Sequence, residues 1–254
     1  MGDYSGKVVV ITGASSGIGA ALARELDARG ARLVLAARSA EPLQVVADSC
    51  RDAVAVVTDV TVRADVEHLL RTAVGHFGQV DVWVNNAGRG ISRPVLELTD
   101  DDVEDMVRTN VLSALYGMQA VLPAFTAQGY GVLANVSSML GRVPFATFRS
   151  AYSASKAALN SLTESLRLDL AREHPGIRVV LVLPGVVATD FGVNALGDGV
   201  DSRSIPGAQD VDDAARAIAD GLLDGPEDIY TRGDGLEPTI AHLRALAGEA
   251  TPTD

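Results

Sequence analysis

Short apolar segments rich in β-branched residues recur along this sequence, and helix-like segments separate them. The segments typical of buried strands are Lys7–Thr12, Arg32–Ala36, Ala53–Thr58, Val80–Asn85, Val132–Val136, Arg178–Leu183 and Asp228–Thr231. Helices are predicted to end near Arg29 and to span about Ala40–Cys50, Thr61–Phe77, Thr99–Pro123, Ser150–Glu173, Val211–Leu223 and Leu236–Leu246. Strands that alternate with helices form parallel sheets through right-handed crossovers. The sequence therefore predicts an α/β fold: a doubly wound, mostly parallel seven-stranded sheet with helices on both faces.

The alternation continues without a repeat, a low-complexity tract or a linker, so residues 1–254 are predicted to form a single domain. Apolar residues make up 47% of the chain, which is enough for a large core. Residues 184–209 depart from the pattern, because they hold five glycines and two prolines among scattered apolar side chains. This segment is predicted to be irregular.

Charge and cysteine content narrow the partners and the compartment. A net charge of −12 would repel a phosphate backbone, so no nucleic-acid partner is predicted. No apolar run approaches ~18 residues, and the N-terminal residues lack the pattern of a signal peptide, so no membrane segment is expected. The acidic run Asp100–Asp102 is interpreted as helix capping, and no metal site is predicted. The single cysteine, Cys50, fits a reducing, cytoplasmic location.

A glycine-rich turn, Thr12–Gly19, lies between the first predicted strand and the first helix. Glycines here allow a tight turn and let backbone N–H groups approach a pyrophosphate at the helix N-terminus. The candidate cofactor-binding residues of the turn are Gly13, Ser15, Ser16, Gly17, Ile18 and Gly19. In this position the turn indicates a Rossmann-type dinucleotide site.

The end of the second strand indicates which dinucleotide is bound. A site for NAD would place an acidic residue there to bind the ribose hydroxyl groups. This chain has Ala37 followed by Arg38, whose guanidinium group suits a 2′-phosphate. We therefore expect NADP(H) to be preferred over NAD(H).

Tyr152 and Lys156 lie four positions apart in a predicted helix, so their side chains share one face. A free phenol has a pKa near ~10, and a nearby ammonium group lowers that pKa by favouring the phenolate. The pair is a candidate for exchanging a proton with an alcohol or carbonyl oxygen. For this spacing alone, a Tyr–Lys pair on an exposed helical face is the commoner explanation.

Taken together, these features resemble the short-chain dehydrogenase/reductase family in its single-domain form. The resemblance extends to about Thr189 and rests on motifs in order: the glycine turn, Asp59-Val60, Asn85-Asn86-Ala87-Gly88, Asn110, Ser137-Ser138, Tyr152 with Lys156, and Pro184-Gly185 with Thr189. It implies that Asp59 and Val60 flank the adenine ring. It also implies that the cofactor contacts Asn86, Ala87 and Gly88 on its ribose side, and Pro184, Gly185, Val187 and Thr189 towards the nicotinamide.

The same resemblance implies the catalytic roles. Tyr152 would be the general acid in reduction and the general base in oxidation, and Lys156 would lower its pKa and bind the nicotinamide ribose. Ser138 would donate a hydrogen bond to the substrate oxygen. Asn110 would hold a water molecule next to Lys156.

The distance in sequence from Ser138 to Tyr152 is one residue longer than the family commonly has. Counting rigidly would select Met139, but a thioether cannot donate a hydrogen bond. We therefore choose Ser138, with Ser137 as its structural neighbour, and assign the extra residue to positions 146–149.

The implied substrate is a carbonyl compound or a secondary alcohol. Its predicted pocket is lined by Ser92, Arg93, Val95, Met139, Leu140, Phe145 and Phe148 and covered by residues 190–209. Apolar residues in the cover, Phe191, Val193, Leu196 and Ile205, either suggest a mainly apolar ligand or pack against the sheet. The arginines Arg142, Arg149 and Arg203 are candidates for binding an acidic group of the substrate, but exposed arginines usually have no such role.

An NADP-dependent oxidoreductase is the leading functional prediction. The alternative is a catalytically silent regulatory protein that binds NADP(H). A dehydratase or epimerase is less favoured, because related enzymes usually carry a larger sugar-nucleotide domain. A homodimer or homotetramer is expected, and the ending from Ile229 to Gly235, which departs from the family pattern, leaves that choice open.

Overall fold

The computed structural model describes residues 3–248 and contains the sheet that the sequence predicts. Its strands are β1 (Val8–Thr12), β2 (Arg32–Ala37), β3 (Ala53–Val57), β4 (Val82–Asn85), β5 (Ile91–Ser92), β6 (Gly131–Val136), β7 (Ile177–Leu183), β8 (Leu196–Gly197) and β9 (Asp228–Tyr230). Seven of these form one sheet in the order β3-β2-β1-β4-β6-β7-β9. Every pair in this sheet is parallel. The predicted Rossmann-type α/β fold is confirmed.

Helices cover both faces of the sheet. They are α1 (Gly17–Ala28), α2 (Ala40–Asp48), α3 (Arg63–Phe77), α4 (Asp100–Val107), α5 (Ser113–Gln128), α6 (Ser150–Leu170), α7 (Val211–Leu222) and α8 (Leu236–Leu246). Alternate residues of β1 show the two layers: Val9 and Ile11 belong to the core with α1, α2 and α7, whereas Val8 and Val10 belong to the core with α3, α5 and α6. All four side chains are fully buried. This two-sided burial explains the continuous apolar character of the strand.

Three local features differ from the predictions. The single helix expected over Thr99–Pro123 is two helices, because a π-helical turn at Arg108–Leu112 separates α4 from α5. The segment 184–209 is not wholly irregular, since β8 pairs in parallel with β5 outside the main sheet. Helix α6 ends at Leu170 instead of Glu173.

The interpretation of the acidic run as capping agrees with the structure. Thr99 caps α4 by accepting a hydrogen bond from the backbone of Asp102, whose carboxylate accepts one from the backbone of Thr99 in return. Within residues 3–248, no helix is both long enough and apolar enough to cross a membrane.

Buried polar side chains connect the central strands to the helix that carries Tyr152. The Asn85 amide nitrogen donates to Asn135 Oδ1 over 2.9 Å, and the Asn135 amide nitrogen donates to Thr163 Oγ1 on α6 over 3.0 Å. The indole nitrogen of Trp83 donates to Asn85 Oδ1 over 2.8 Å. Gly117 of α5 lies directly against this group. The network therefore fixes β4, β6, α5 and α6 relative to one another.

Replacing Gly117 with alanine tests this packing. The added Cβ would lie 2.1 Å from Asn85 Oδ1 and 2.7 Å from Trp83 Nε1. Because these atoms move only by breaking buried hydrogen bonds, we expect Gly117→Ala to lower the free energy of unfolding by about 1–3 kcal/mol.

Gly75→Ala is the matched control. Gly75 lies inside α3, and a Cβ there meets no atom within 4 Å. Alanine should raise the free energy of unfolding by up to about 1 kcal/mol, because it is the better helix former. Urea denaturation followed by circular dichroism measures both variants. If both substitutions changed the free energy of unfolding by the same amount in the same direction, the predicted role of the hydrogen-bond network would be wrong.

Candidate active site

A crevice opens at the carboxyl ends of β1 and β4, where the order of the strands reverses. From β1 the chain proceeds to β2 and β3 on one side, and β4 returns to the other side of β1. Crossover helices of the two halves therefore lie on opposite faces, and ligands of doubly wound sheets bind at such a point. The glycine turn follows β1, and Asn86, Ala87 and Gly88 follow β4, so both predicted motifs meet here.

Thr12 and Asn86 join the two motifs. The hydroxyl oxygen of Thr12 accepts hydrogen bonds from the backbone N–H groups of Asn86, over 3.0 Å, and Ala87, over 3.1 Å. The Asn86 amide nitrogen donates to the carbonyl oxygens of Thr12 and Gly13. A Cβ on Gly19 would lie 2.3 Å from the Gly13 carbonyl oxygen. Gly19 thus lets α1 start close beneath the turn.

The N-terminus of α1 is open to an anion. Ser16 precedes this helix and makes no side-chain capping bond, and the first turn carries no acidic residue. Gly17 has a φ of +52°, which favours glycine. Ser15 is half-buried, Ser16 is exposed, and Ile18 packs on the core. Free backbone N–H groups and exposed hydroxyl groups at a helix N-terminus fit a pyrophosphate.

Arg38 and Asp59 lie at the end of the crevice formed by β2 and β3. Arg38 is exposed, and its guanidinium group has no ion-pair partner among residues 3–248. Burial disfavours the charged Asp59 carboxylate, but hydrogen bonds from Thr61 and the positive charge of Arg38 outweigh this and hold the pKa of Asp59 below its usual value. Val60 packs against the core. The free guanidinium group fits a phosphate.

The loop after β7 closes the opposite side of the crevice. The Pro184 carbonyl oxygen accepts a hydrogen bond from the backbone of Met139, and Gly185 follows it against the Met139 sulfur. Val187 pairs with Gln209 in an isolated bridge. The Thr189 methyl group would lie 3.5 Å from a Cβ on Gly17, so this threonine borders the glycine turn.

Tyr152 and Lys156 lie on the buried face of α6. Their side chains are 7% and 4% exposed, and the Lys156 ammonium nitrogen lies 5.8 Å from the centre of the Tyr152 ring. This nitrogen donates to the carbonyl oxygen of Val136 over 2.8 Å. Burial lowers the pKa of Lys156 to about 8.

The pKa of Tyr152 differs from the prediction. Burial raises it to about 12, and the influences that oppose this come from the Ser138 hydroxyl group and the positive charge of Arg149. Lys156 is not among these influences, because with a pKa of about 8 it is a neutral amine at the pH where this phenol would ionise. In this structure Tyr152 is therefore a protonated phenol at neutral pH.

The three candidates for the serine position have different surroundings. Ser138 accepts a hydrogen bond from the backbone of Leu140 and lies close enough to Tyr152 to lower its pKa. Ser137 donates to Asn160 on α6 and is held inside the protein. Met139 is buried and contacts Gly185. Of the three side chains, only that of Ser138 acts on the phenol.

Asn110 lies in the π-helical turn and is almost fully buried. Its amide nitrogen donates to the Arg89 carbonyl oxygen and to Ser155 Oγ, and its Oδ1 accepts from the Arg89 backbone. A Cβ on Gly88 would lie 3.0 Å from this Oδ1 and 3.4 Å from Lys156 Nζ. Gly88 therefore passes close to both groups, and a side chain there would crowd them.

The predicted cover reaches Tyr152. The Phe191 ring lies 5.5 Å from the Tyr152 ring, and the pairing of β8 with β5 fixes the cover beside it. Leu140 and Leu196 pack on the same cluster as Tyr152. Val193 is exposed, as are the pocket residues Val95, Phe145 and Phe148. Ser92, Arg93 and Ile205 are half-buried.

The three arginines near the pocket do not behave alike. Arg142 and Arg203 form ion pairs with Asp228 and Asp190. The expectation that Arg149 is exposed is wrong, because only 9% of this residue is accessible.

Comparisons with known proteins agree with this arrangement. The family model for short chain dehydrogenases matches residues 7–197. The chain belongs to the short-chain dehydrogenase family. An uncharacterized oxidoreductase from Staphylococcus epidermidis is 36% identical over 199 residues, which are 76% of this chain and 85% of the relative.

Solved structures of other family members resemble the whole chain. A short-chain dehydrogenase/reductase from Burkholderia phymatum in complex with NAD is 26% identical, with a TM-score of 0.87 over 100% of this chain and 99% of the other. An alcohol dehydrogenase from Thermococcus sibiricus complexed with 5-hydroxy-NADP is 28% identical, with a TM-score of 0.77. The match covers 88% of this chain and 95% of the other. This short-chain dehydrogenase is therefore an oxidoreductase of Rossmann-like fold.

Sequence reasoning missed two residues that shape the site. Thr12 was included only as the first residue of the glycine turn, yet its hydroxyl group organises the loop after β4. Arg149 is a sequence candidate for binding an acidic group, but it is grouped with exposed arginines. No local pattern distinguishes a buried arginine from an exposed one, so only its position three residues before Tyr152 gave a signal.

The burial of Lys156 has a measurable consequence. The chain contains two lysines, Lys7 and Lys156, so protein labelled with ¹³C at lysine Cε gives two signals, which Lys7→Arg assigns. We expect the Lys156 signal of the cofactor-free short-chain dehydrogenase to titrate near pH 8, with the cation below and the neutral amine above. In the unfolded chain this lysine keeps its proton up to about pH 10.4. Between pH 8 and about pH 10.4 the unfolded state therefore binds more protons, and the free energy of unfolding rises with pH. A midpoint near 10.4 would contradict a desolvated ammonium group.

Proposed function

We propose that this protein is an NADP(H)-dependent oxidoreductase that transfers a hydride between the nicotinamide and a carbonyl or secondary alcohol group of a mainly apolar small molecule. The convergence of Ser138, Tyr152 and Lys156 beside the crevice that contains the glycine turn carries this proposal. A bound nicotinamide would supply or accept the hydride. The chain itself provides binding, orientation and the proton.

The residues that would hold the cofactor surround the crevice. Gly13, Ser15, Ser16, Gly17, Ile18 and Gly19 would receive the pyrophosphate, and Asp59 and Val60 the adenine. Asn86, Ala87 and Gly88 would border the ribose side, with Pro184, Gly185, Val187 and Thr189 towards the nicotinamide. The open helix N-terminus and the close approach of Gly88 to Asn110 and Lys156 support this assignment.

The proton would come from Tyr152 when a carbonyl group is reduced. Its phenol is protonated at neutral pH, and the Ser138 hydroxyl beside it would donate a second hydrogen bond to the same substrate oxygen. Lys156 would bind the ribose hydroxyl groups. Asn110 is fixed between Arg89 and Ser155 and would support a water molecule beside Lys156, so that the proton can be replaced.

The Tyr152→Phe variant tests the chemical step. Without the hydroxyl group the substrate oxygen receives no proton, so we expect turnover to fall at least ~10²-fold. The measurement is NADPH oxidation with a panel of ketones, aldehydes and quinones. Binding of NADPH, measured by its fluorescence, should be almost unchanged. Tyr130→Phe, which makes the same change just before β6 at the opposite end of the sheet, is the control and should stay active.

The outcomes separate this proposal from its alternative. Activity in Tyr152→Phe would remove Tyr152 from the mechanism. Binding of NADPH without a rate above background for any member of the panel would favour the regulatory protein. A protein that binds no dinucleotide would refute both.

The preference for NADP(H) rests on Arg38. Family members bind either dinucleotide, since the Burkholderia structure contains NAD and the Thermococcus structure contains 5-hydroxy-NADP. In this chain an unpaired guanidinium group follows β2 where a carboxylate would favour NAD. A 2′-phosphate would bind there.

Affinities of the Arg38→Ala variant test the preference. We expect the wild type to bind NADPH more tightly than NADH, and the variant to lose roughly 10- to 100-fold in affinity for NADPH alone. Arg51→Ala removes an exposed arginine paired with Asp27 and is the control. Fluorescence titrations measure the dissociation constants of NADPH and NADH for all three proteins. Equal affinities of the wild type for the two dinucleotides would refute the role of Arg38.

Several further predictions complete the proposal. Residues 190–209 would cover the substrate, which the contact between Phe191 and Tyr152 supports. The chain would act as one domain, in the cytoplasm, as a homodimer or homotetramer. These statements rest on the sequence and on the family.

A further inference from the structure

Arg149 is a buried cation without a carboxylate partner. The residue is 9% exposed, and it lies immediately before α6. No carboxylate oxygen of residues 3–248 lies within 4.0 Å of its guanidinium group, although the neighbouring arginines Arg89 and Arg93 are paired with Asp105 and Asp102. Buried charges are normally paired, because an unpaired one loses its hydration without compensation.

Arg149 makes few hydrogen bonds within the protein. A guanidinium group has five N–H donors. One of its nitrogens, Nη1, contacts the carbonyl oxygen of Ile91 over 3.4 Å, which is long for a hydrogen bond. This is the only side-chain hydrogen bond of Arg149 within the part of the chain that the structure describes. Its Nε and Nη2 are not among the fully buried atoms that lack a partner, so these donors reach solvent and are available to a ligand.

Arg149 lies beside the proposed reacting groups. A Cβ on Gly90 would lie 2.9 Å from Arg149 Nη1 and 3.0 Å from Phe191 Cε1, so the guanidinium group and this ring both pack against Gly90. The Phe191 ring in turn lies 5.5 Å from that of Tyr152. The charge of Arg149 is close enough to lower the pKa of the Tyr152 phenol. Arg149 thus belongs to the wall of the substrate space.

We infer that Arg149 binds an anionic group of the substrate, and that the substrate is an oxo acid or hydroxy acid with an apolar body. A carboxylate matches the planar fork of a guanidinium group, which can donate two parallel hydrogen bonds to it. The apolar body would lie against Phe191 and the exposed ring of Phe148, whose centre is 5.5 Å from the Arg149 guanidinium carbon. This inference rests on the proposed function and specifies its substrate class.

The experiment compares acids with their neutral esters. The probes are phenylpyruvate, benzoylacetate and 3-benzoylpropanoate, which place the carboxylate at three distances from the carbonyl group, and the methyl ester of each. The kcat/KM for NADPH-dependent reduction gives an acid-to-ester ratio for each pair. We expect the wild type to favour at least one acid, and Arg149→Gln to reduce that ratio roughly 10- to 100-fold.

Two variants control this comparison. Arg142→Gln removes an arginine of the same loop that is paired with Asp228, and its ratio should stay within about 2-fold of the wild type. Arg149→Lys keeps the charge but loses the fork, so its ratio should be intermediate. Thermal unfolding and NADPH binding will show whether Arg149→Gln folds. If it does not, Arg149→Lys provides the test.

Binding measurements separate this inference from the proposed function. The Tyr152→Phe variant loaded with NADPH should bind the preferred acid more tightly than its ester in calorimetry, and Arg149→Gln in that background should abolish the difference. If NADPH-loaded protein binds acids and esters equally or binds none of them, the inference about Arg149 is wrong while the proposed function stands. Failure to bind NADPH, or Tyr152→Phe as active as the wild type, would instead refute the proposed function.

Discussion

Hydrogen bonds between Asn85, Asn135 and Thr163 hold α6 in one position against the centre of the sheet. Each of these groups is buried, so each would lose free energy if its partner moved away. The strands β4 and β6 cannot shift in register without separating the two asparagines. Since the glycine turn and the loop after β4 are joined by Thr12, the same network fixes α6 relative to the crevice. The relative positions of Tyr152 and the dinucleotide site are therefore properties of the core.

Burial affects the two titratable groups of α6 in opposite directions. It raises the pKa of Tyr152 to about 12 and lowers that of Lys156 to about 8, since both neutral forms are easier to desolvate than their ions. This environment therefore keeps the Tyr152 phenol protonated. A charge that develops on a substrate oxygen would meet hydrogen-bond donors from Ser138 and Tyr152 and the field of Arg149. These groups are the ones that the proposed transfer of a proton from Tyr152 to a carbonyl oxygen would use.

The sequence predicts those features of the structure that depend on neighbouring residues, and it misses those that depend on residues distant in sequence. The strands β1, β2, β3, β4, β6 and β7 were predicted to within two residues at each end, because burial on both faces leaves a continuous apolar segment. The glycines of the turn were recognised because backbone geometry demands them: Gly13 has a φ of +66°, and Gly19 contacts the Gly13 carbonyl group. The pairing of β5 with β8 involves two residues in each strand, which is too short for any periodicity. Neither the burial of Arg149 nor the partners of Asn135 leave a local pattern, since residues distant in sequence create them.

The extra residue between Ser138 and Tyr152 and the unusual position of Arg149 have a common structural setting. The Arg149 backbone N–H donates to the Ala146 carbonyl oxygen over 2.8 Å, so residues 146–149, to which the extra residue is assigned, form a turn. Ser138 lies at the carboxyl end of β6, next to Ser137, which is hydrogen-bonded to Asn160. Tyr152 lies on α6. Arg149 leaves this turn by pairing with Arg93, next to β5. That contact directs its side chain towards Ile91 and Gly90 instead of solvent. The turn that connects Ser138 to α6 therefore also carries the cation that we propose to bind the substrate.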